Sequence, residues 1–202
     1  MDHLWMAFGL ALGIASQPAP VQNGKTAQPA QQAPVKAGVD RQDERFIERA
    51  ARAAHAEIAA GKLAAARGAS EEVKAFAREV VGHHGKANHE LEEIAIKKGV
   101  TWPTVPHWWQ QRELKKLQSL TGHDFDRRYI QEAGVDDHED TVKLFRKAQK
   151  EVKDAELKAY FDRMLPAVEK HYEMARTLER SLKDGTAITS SGNASAGSSN
   201  RK

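Results

Sequence analysis

The chain has 202 residues, of which 40% are hydrophobic, so one domain with a sizeable core is expected. Its formal net charge is only +3, and acidic and basic residues interleave, which argues against the basic stripe with aromatic residues that is typical of nucleic-acid binding. The absence of cysteine excludes disulfides, thiolate metal sites and thiol catalysis.

The first predicted element is an apolar run, Leu4 to Ala15, which is too short to cross a bilayer as a helix. Its length matches a signal-peptide core, and Gly13-Ile14-Ala15 offers small residues for cleavage before Ser16. The preceding Met1-Asp2-His3 lacks Lys or Arg, so either the true start lies upstream or the signal is atypical. A disordered apolar N-terminus is the alternative to the signal peptide that we predict over residues 1–15.

Two further segments lack the large apolar side chains that a core needs. Residues 16–42 are rich in Gln, Pro, Ala and Gly, which predicts a flexible linker. Residues 184–202 are mostly Ser, Gly, Asn and Ala, which predicts a disordered tail. The folded domain is therefore predicted over residues 43–183, with no transmembrane segment in the mature chain.

Four long segments with helical periodicity are predicted within that domain, at about 43–67, 70–98, 124–152 and 155–183. Short turns join the first two and the last two, so each pair should form an antiparallel hairpin. The connection from Gly99 to His123 carries a short helix and is long enough to return along the bundle. We therefore predict an all-α four-helix bundle with one long crossover between helices 2 and 3, as in ferritin-like folds; an up-down-up-down bundle is the alternative.

Three tryptophans stand in this crossover, at positions 102, 108 and 109. We expect them to seal one end of the core, and a ligand-binding aromatic patch is the alternative.

Each long segment carries one ionisable residue on its apolar seam. Glu57 stands on the first seam and His84 on the second. His138 and His171 stand on the third and fourth seams. All four lie near the midpoints of their segments, so they should converge in the middle of the bundle whichever way the neighbouring helices run.

A buried ionisable group is costly unless it is paired or bound to a metal. Three imidazoles and one carboxylate supply ligands for a divalent transition metal such as Zn, Fe, Mn or Cu. We therefore predict four metal ligands: Glu57, His84, His138 and His171. The alternative is a metal-free hydrogen-bonded cluster in which Glu57 is ionised against a histidinium.

The remaining polar candidates carry weaker signals. Asn88, one turn after His84, is a candidate to orient a ligand, although a helix-surface amide is the simpler interpretation. The other histidines are assigned to the surface, with His83 close enough to reach the edge of the site. No feature marks a substrate pocket, so the sequence favours a binding protein over a mononuclear metal redox enzyme. The sequence is compatible with a homo-oligomer.

Four stretches, one on each predicted helix, carry a family resemblance. They are Phe46…Ala56-Glu57-Ile58…Gly61-Lys62-Leu63-Ala64, Val73-Lys74-Ala75-Phe76-Ala77…His84…Asn88…Leu91, Phe125-Asp126-Arg127-Arg128-Tyr129-Ile130…His138, and Leu157-Lys158-Ala159-Tyr160-Phe161…Leu165-Pro166…His171. Over about residues 43–183 this pattern resembles a bacterial domain-of-unknown-function family of exported ferritin-like bundles, whose members are often labelled outer membrane proteins. The resemblance implies a signal peptide, a location in the periplasm or cell envelope and a ferritin-like four-helix domain, but no established activity.

Two departures from related patterns bear on function. The family that the chain resembles commonly has an acidic residue before the histidine of the second helix, where this chain has His83. Ferritins and di-iron oxidases use Glu-x-x-His pairs, which none of the four seam positions provides. Iron storage is therefore disfavoured, and we expect metal buffering or a role in envelope stress, with a metal-free structural or interaction module as the alternative.

Overall fold

The computed structural model describes residues 38–185. The predicted signal peptide, most of the predicted linker and all but the first residues of the predicted tail lie outside the described residues.

The described chain is all-helical, and residues 38–185 contain no strand. The helices are α1 (Arg41–Arg67), α2 (Glu71–Lys97), α3 (Trp108–Gln118), α4 (Gly122–Tyr129), α5 (Asp137–Glu151) and α6 (Ala155–Asp184). A π-helical segment, Ile130–Asp136, joins α4 to α5, and these three elements form one rod that we call the third bundle helix. The four long helices and the short crossover helix are thus confirmed.

Local sequence signals explain where the helices begin and end. The side chain of Asp40 accepts a hydrogen bond from the backbone N–H of Gln42 at the start of α1, at 2.8 Å. Ser70 and Asp154 cap the backbone N–H groups three residues ahead of them, at the starts of α2 and α6. Gly185, with φ of 64°, ends α6 in the left-handed conformation that glycine adopts without strain.

Two clusters of buried apolar residues fill opposite ends of the bundle. The first core cluster consists of Phe46, Ile47, Ala50, Leu91, Ile94, Ala95, Val142, Leu144, Phe145, Ala148, Val152, Leu157, Tyr160, Phe161, Leu165 and Val168. The second core cluster consists of Ala60, Ala64, Val73, Phe76, Ala77, Val80, Leu117, Phe125, Tyr129, Ile130, Ala133, Ala175 and Leu178.

The membership of these clusters fixes the direction of each helix. The first core cluster takes the start of α1, the end of α2, the end of α5 and the start of α6, whereas the second takes the opposite ends. Helices α1 and α6 therefore run one way, and α2 and the third bundle helix run the other way. Because α2 and the third bundle helix are parallel, the crossover between them must travel the length of the bundle. This confirms the predicted long crossover and excludes the up-down-up-down alternative.

Hydrogen bonds to α1 hold the crossover in place. His55 Nε2 lies 2.9 Å from the carbonyl oxygen of Pro103, and an Arg52 guanidinium N–H donates to the carbonyl of Val105 at 3.2 Å. Arg67 donates to the carbonyls of Gln118 and Leu120, both at 3.0 Å. The crossover is thus attached to α1 at several points along its path.

The expectation for the tryptophans is correct only for Trp102, which packs against the first core cluster. Trp108 and Trp109 remain 66% and 44% exposed and do not seal the core. The residues that the short helix α3 buries are Gln110 and Leu117 instead. None of the helices between residues 38 and 185 is long and apolar enough to span a membrane.

Candidate metal centre

The four predicted seam residues lie together between the two core clusters. Glu57, His84, His138 and His171 are 1%, 7%, 1% and 0% exposed. Each comes from a different bundle helix, and on each helix the apolar residues before it and after it belong to different core clusters. The predicted convergence is therefore observed, and we call these residues, with Thr141, the central polar layer.

Glu57 contacts two members of this layer. Its Oε1 accepts a hydrogen bond from the Thr141 hydroxyl at 2.9 Å, and its Oε2 lies 2.5 Å from His84 Nδ1. A carboxylate at this position favours the His84 tautomer with the proton on Nδ1, which leaves Nε2 as a lone-pair donor. Sequence reasoning missed Thr141, although its position one turn after His138 places it on the same face of the helix.

His171 connects the centre of the layer to the surface. Its Nδ1 lies 3.1 Å from His84 Nε2, and its Nε2 lies 2.9 Å from His83 Nδ1. The rings of His83 and His171 are stacked, with centroids 5.1 Å apart and an angle of 18° between their planes. His83 is itself exposed, so it extends the site outward.

His138 is oriented by the π-helical segment. Its Nδ1 lies 2.8 Å from the carbonyl oxygen of Ala133, five residues earlier, where the wider turn of the π-helix presents that carbonyl to the ring. The carbonyl can only accept, so Nδ1 carries the proton and Nε2 is left with a lone pair. That Nε2 is buried and has no hydrogen-bond partner within residues 38–185.

One ligand atom from each of His84, His138 and His171 lies within 4.8 Å of the other two, and all three residues are buried. A second group with the same spacing consists of Glu79, His83 and His171. Glu57 belongs to neither group. Of the four residues predicted as ligands, the structure thus groups the three histidines and places Glu57 beside one of them.

The electrostatics of the layer favour the neutral form of two of its imidazoles. Burial, followed by the neighbouring rings of His84 and His138, lowers the pKa of His171 to about 3. Burial also lowers the pKa of His138, against the opposing effect of the Glu57 carboxylate. Neutral imidazoles are the form that coordinates a metal.

The carboxyl group in the layer is kept ionised. Burial by itself would raise the pKa of Glu57, but His84, His138 and the Thr141 hydroxyl outweigh burial and hold that pKa below its usual range. The layer therefore holds one ionised carboxylate beside two imidazoles, those of His138 and His171, whose pKa values burial lowers.

A cavity of about 50 Å³ adjoins the histidines. Glu57, His84 and His171 line one side of it, and the rest of its wall is largely apolar, including Phe145 and Met164. A volume of this size exceeds the ~10–15 Å³ that one water requires, so a small molecule fits beside the site.

The remaining candidates lie outside the centre. Asn88 is buried, but its Oδ1 accepts no hydrogen bond in the described part of the chain, and no contact with His84 supports the orienting role. His55 binds the crossover, and His107 precedes α3. His89 is exposed and lies beside Glu93.

Comparison with known proteins yields a single assignment. No curated protein and no solved structure matches the chain. Residues 26–178 match the model of one family, and that match spans more than half of the chain. The chain therefore belongs to the family described as Domain of unknown function (DUF4142).

Proposed function

We propose that the protein is a ferritin-like bundle that holds one divalent transition metal ion between His84, His138 and His171. The observation that carries this proposal is the buried, unpartnered Nε2 of His138. Leaving a buried polar atom without a partner costs about 1–3 kcal/mol, and a metal ion removes that cost. The grouping of the three histidines within 4.8 Å supports the same ligand set.

The distances suit coordination after small side-chain movements. His84 Nε2 and His171 Nδ1 are 3.1 Å apart. Two nitrogens bound to one tetrahedral Zn²⁺ at about 2.0–2.1 Å would be about 3.4 Å apart. Binding would therefore separate these two rings by a few tenths of an ångström.

In this proposal Glu57 orients a ligand and does not bind the metal. Its Oε2 lies against His84 Nδ1, and its Oε1 is occupied by the Thr141 hydroxyl. A carboxylate on the far nitrogen of a coordinating imidazole fixes the tautomer and raises the basicity of the ring.

The ligand chemistry narrows the choice of metal. Three neutral imidazoles suit Zn²⁺, Cu²⁺ and Fe²⁺, whereas Mn²⁺ prefers carboxylate and water oxygens. Affinity for a given nitrogen site also rises from Mn²⁺ towards Cu²⁺. We expect Zn²⁺ or Cu²⁺ to bind most tightly.

The role that best fits such a site is metal buffering or protection of the cell envelope under stress. The apolar run at residues 4–15 supports export, and the central layer supports binding. Fractionation of the native host, with N-terminal sequencing of the mature chain, tests the location. Recovery of the full-length chain in the cytoplasm would contradict it.

The test of metal binding is elemental analysis of protein purified without a histidine tag and then equilibrated with Zn²⁺ or Cu²⁺. We expect bound metal in the parent protein and in His89→Ala, which removes an exposed histidine from α2. His138→Ala should lose the metal and the rise in melting temperature that the metal produces. Equal metal content in His138→Ala and the parent would overturn the proposed ligand set.

A metal-free parent protein would favour the structural alternative, in which the polar layer sets the register of the helices. In that case His84→Leu should fold at least as well as the parent protein, because a buried hydrogen-bonded cluster is often no more stabilising than apolar residues of similar volume.

A second candidate function, mononuclear redox chemistry such as superoxide dismutation, is supported by the cavity of about 50 Å³ beside His84 and His171. A small ligand in that cavity would lie next to the metal, as an open coordination position requires. Assays of the protein loaded in turn with Cu, Fe and Mn test this candidate. Turnover that disappears in His138→Ala would support it, and no turnover with any metal would contradict it.

A further inference from the structure

We propose a second, outer binding site for a divalent metal, formed by Glu79, His83 and His171, so that the His171 ring bridges two ions. The proposal rests on the proposed central site, because it requires that the ion there is bound through Nδ1 of the same ring.

The geometry of His171 is the starting point. Its Nδ1 faces His84 Nε2 at 3.1 Å, inside the central polar layer. Its Nε2 faces His83 Nδ1 at 2.9 Å, on the outer side. The two nitrogens of one ring thus point into two separate groups of potential ligands.

The outer group is complete enough to bind an ion. One ligand atom from each of Glu79, His83 and His171 lies within 4.8 Å of the other two. Two imidazoles and a carboxylate are common ligands of Zn²⁺, and water can take a remaining position. With metal–nitrogen bonds of about 2.0–2.1 Å at both ends of the ring, the two ions would be about 6 Å apart.

The two sites differ in their access to solvent. His84 and His138 are buried, whereas His83 is exposed and Glu79 is partly exposed. An ion can therefore reach the outer site directly, while the central site requires side chains to move. Under this arrangement the outer site exchanges its ion faster than the central site does.

A lysine competes for the outer carboxylate. Lys170 Nζ donates a hydrogen bond to Glu79 Oε1 at 2.8 Å, and the lysine side chain is 62% exposed. Its positive charge repels a cation at the outer site, but the long side chain can move into solvent. Glu79 Oε2 has no such contact with Lys170 and remains available to bind the ion.

Binding of both ions requires the His171 ring to give up its one ring proton. In the metal-free state His171 Nδ1 donates that proton to His84 Nε2, which carries a lone pair, and His171 Nε2 accepts a hydrogen bond from His83 Nδ1. Bridging releases the His171 proton to solvent and leaves an imidazolate with one lone pair on each nitrogen for the two coordination bonds. The His83 proton moves from Nδ1 to Nε2 of the same exposed ring, so that His83 Nδ1 can bind the outer ion.

The experiment is a titration of untagged, metal-free protein with Cu²⁺, followed by isothermal calorimetry and electron paramagnetic resonance. We expect two ions per chain, with the second bound more weakly. A bridging ring couples the two copper spins, so the signal of the doubly loaded protein should integrate to less than two coppers. His83→Ala should bind one ion with a full one-copper signal.

Two further variants sharpen the assignment. Glu79→Gln should weaken the second binding step about tenfold or more, as loss of a ligand does, without altering the first. Lys170→Gln should strengthen the second step about two- to fivefold, because it removes a neighbouring positive charge. His89→Ala, on the same helix, should change neither step.

The outcomes separate the two proposals. One ion in both the parent and His83→Ala, lost in His138→Ala, would overturn the outer site and leave the central site standing. Binding of two ions with uncoupled spins in both the parent protein and His83→Ala would also overturn the outer site. No bound ion in any variant would overturn both proposals.

Discussion

The apolar ends of the bundle and the layer between them are built on the same four helices but from different chemistry. At the first core cluster, Phe161 is fully buried and contacts the rings of Phe46, Phe145 and Tyr160. In the central polar layer, equally buried positions carry a carboxylate and imidazoles. The comparison indicates that the ends stabilise the bundle by apolar burial, while the middle gives up apolar burial for groups that could hold an ion.

The largest effect should follow from breaking an apolar end. Phe161→Ala removes a ring with three aromatic neighbours, and we expect it to lower the free energy of unfolding by about 3–5 kcal/mol. Urea denaturation with and without metal checks this, and the loss should be the same in both conditions. A loss of less than about 1 kcal/mol would contradict the role assigned to this end.

The next largest change in stability should come from binding a metal ion in the central polar layer. Metal at about a thousand times its dissociation constant should raise the free energy of unfolding of the parent by about 4 kcal/mol. His138→Ala should show no such increase, because the buried Nε2 is gone. Urea denaturation at a series of metal concentrations measures both, and an equal increase in the variant would contradict the assignment of His138.

A smaller loss of stability should follow from removing the hydrogen bond that Thr141 donates to Glu57. Thr141→Val removes the hydroxyl that donates to Glu57 Oε1, and we expect a loss of about 1–3 kcal/mol because a buried carboxylate oxygen loses its partner. The matched control is Thr177→Val, since the Thr177 hydroxyl is exposed, donates to the backbone carbonyl of Glu173 and accepts from the Arg180 side chain. Equal melting temperatures for the two variants would show that the Thr141 contact is not important.

The smallest changes in stability should distinguish a glycine packed against a neighbouring helix from a glycine with free space around it. A Cβ on Gly134 would lie 3.0 Å from Ala175 Cβ, whereas a Cβ on Gly85 would meet nothing within 4 Å. We expect Gly85→Ala to stabilise by about 0.5–1 kcal/mol through helix propensity and Gly134→Ala to destabilise by about 1 kcal/mol through overpacking. Thermal denaturation of the two variants should therefore give shifts of opposite sign.

Much of the bundle could be predicted because its determinants are local. Ser70, Asp154 and the periodic apolar seams set the helix bounds, and the length of the crossover sets the topology. Glu57 and the three seam histidines could be found because each interrupts an apolar pattern near a helix midpoint.

The features that the sequence left incomplete depend on contacts between helices. The sequence placed His83 at the edge of the site, but His83 lies about 100° around α2 from the seam, and only the position of α6 brings His171 within 2.9 Å of it. The π-helical segment has no local signature comparable to a cap, and it is the segment that presents the Ala133 carbonyl to His138. The exposure of Trp108 likewise follows from how α3 lies against α1.

Anomalous diffraction from crystals of the untagged protein grown with Zn²⁺ tests whether the three buried histidines bind one ion. We expect an anomalous peak about 2.0–2.1 Å from His84 Nε2, His138 Nε2 and His171 Nδ1. A zinc-loaded crystal with no peak among these three atoms, or with peaks only at exposed histidines such as His89, would contradict it.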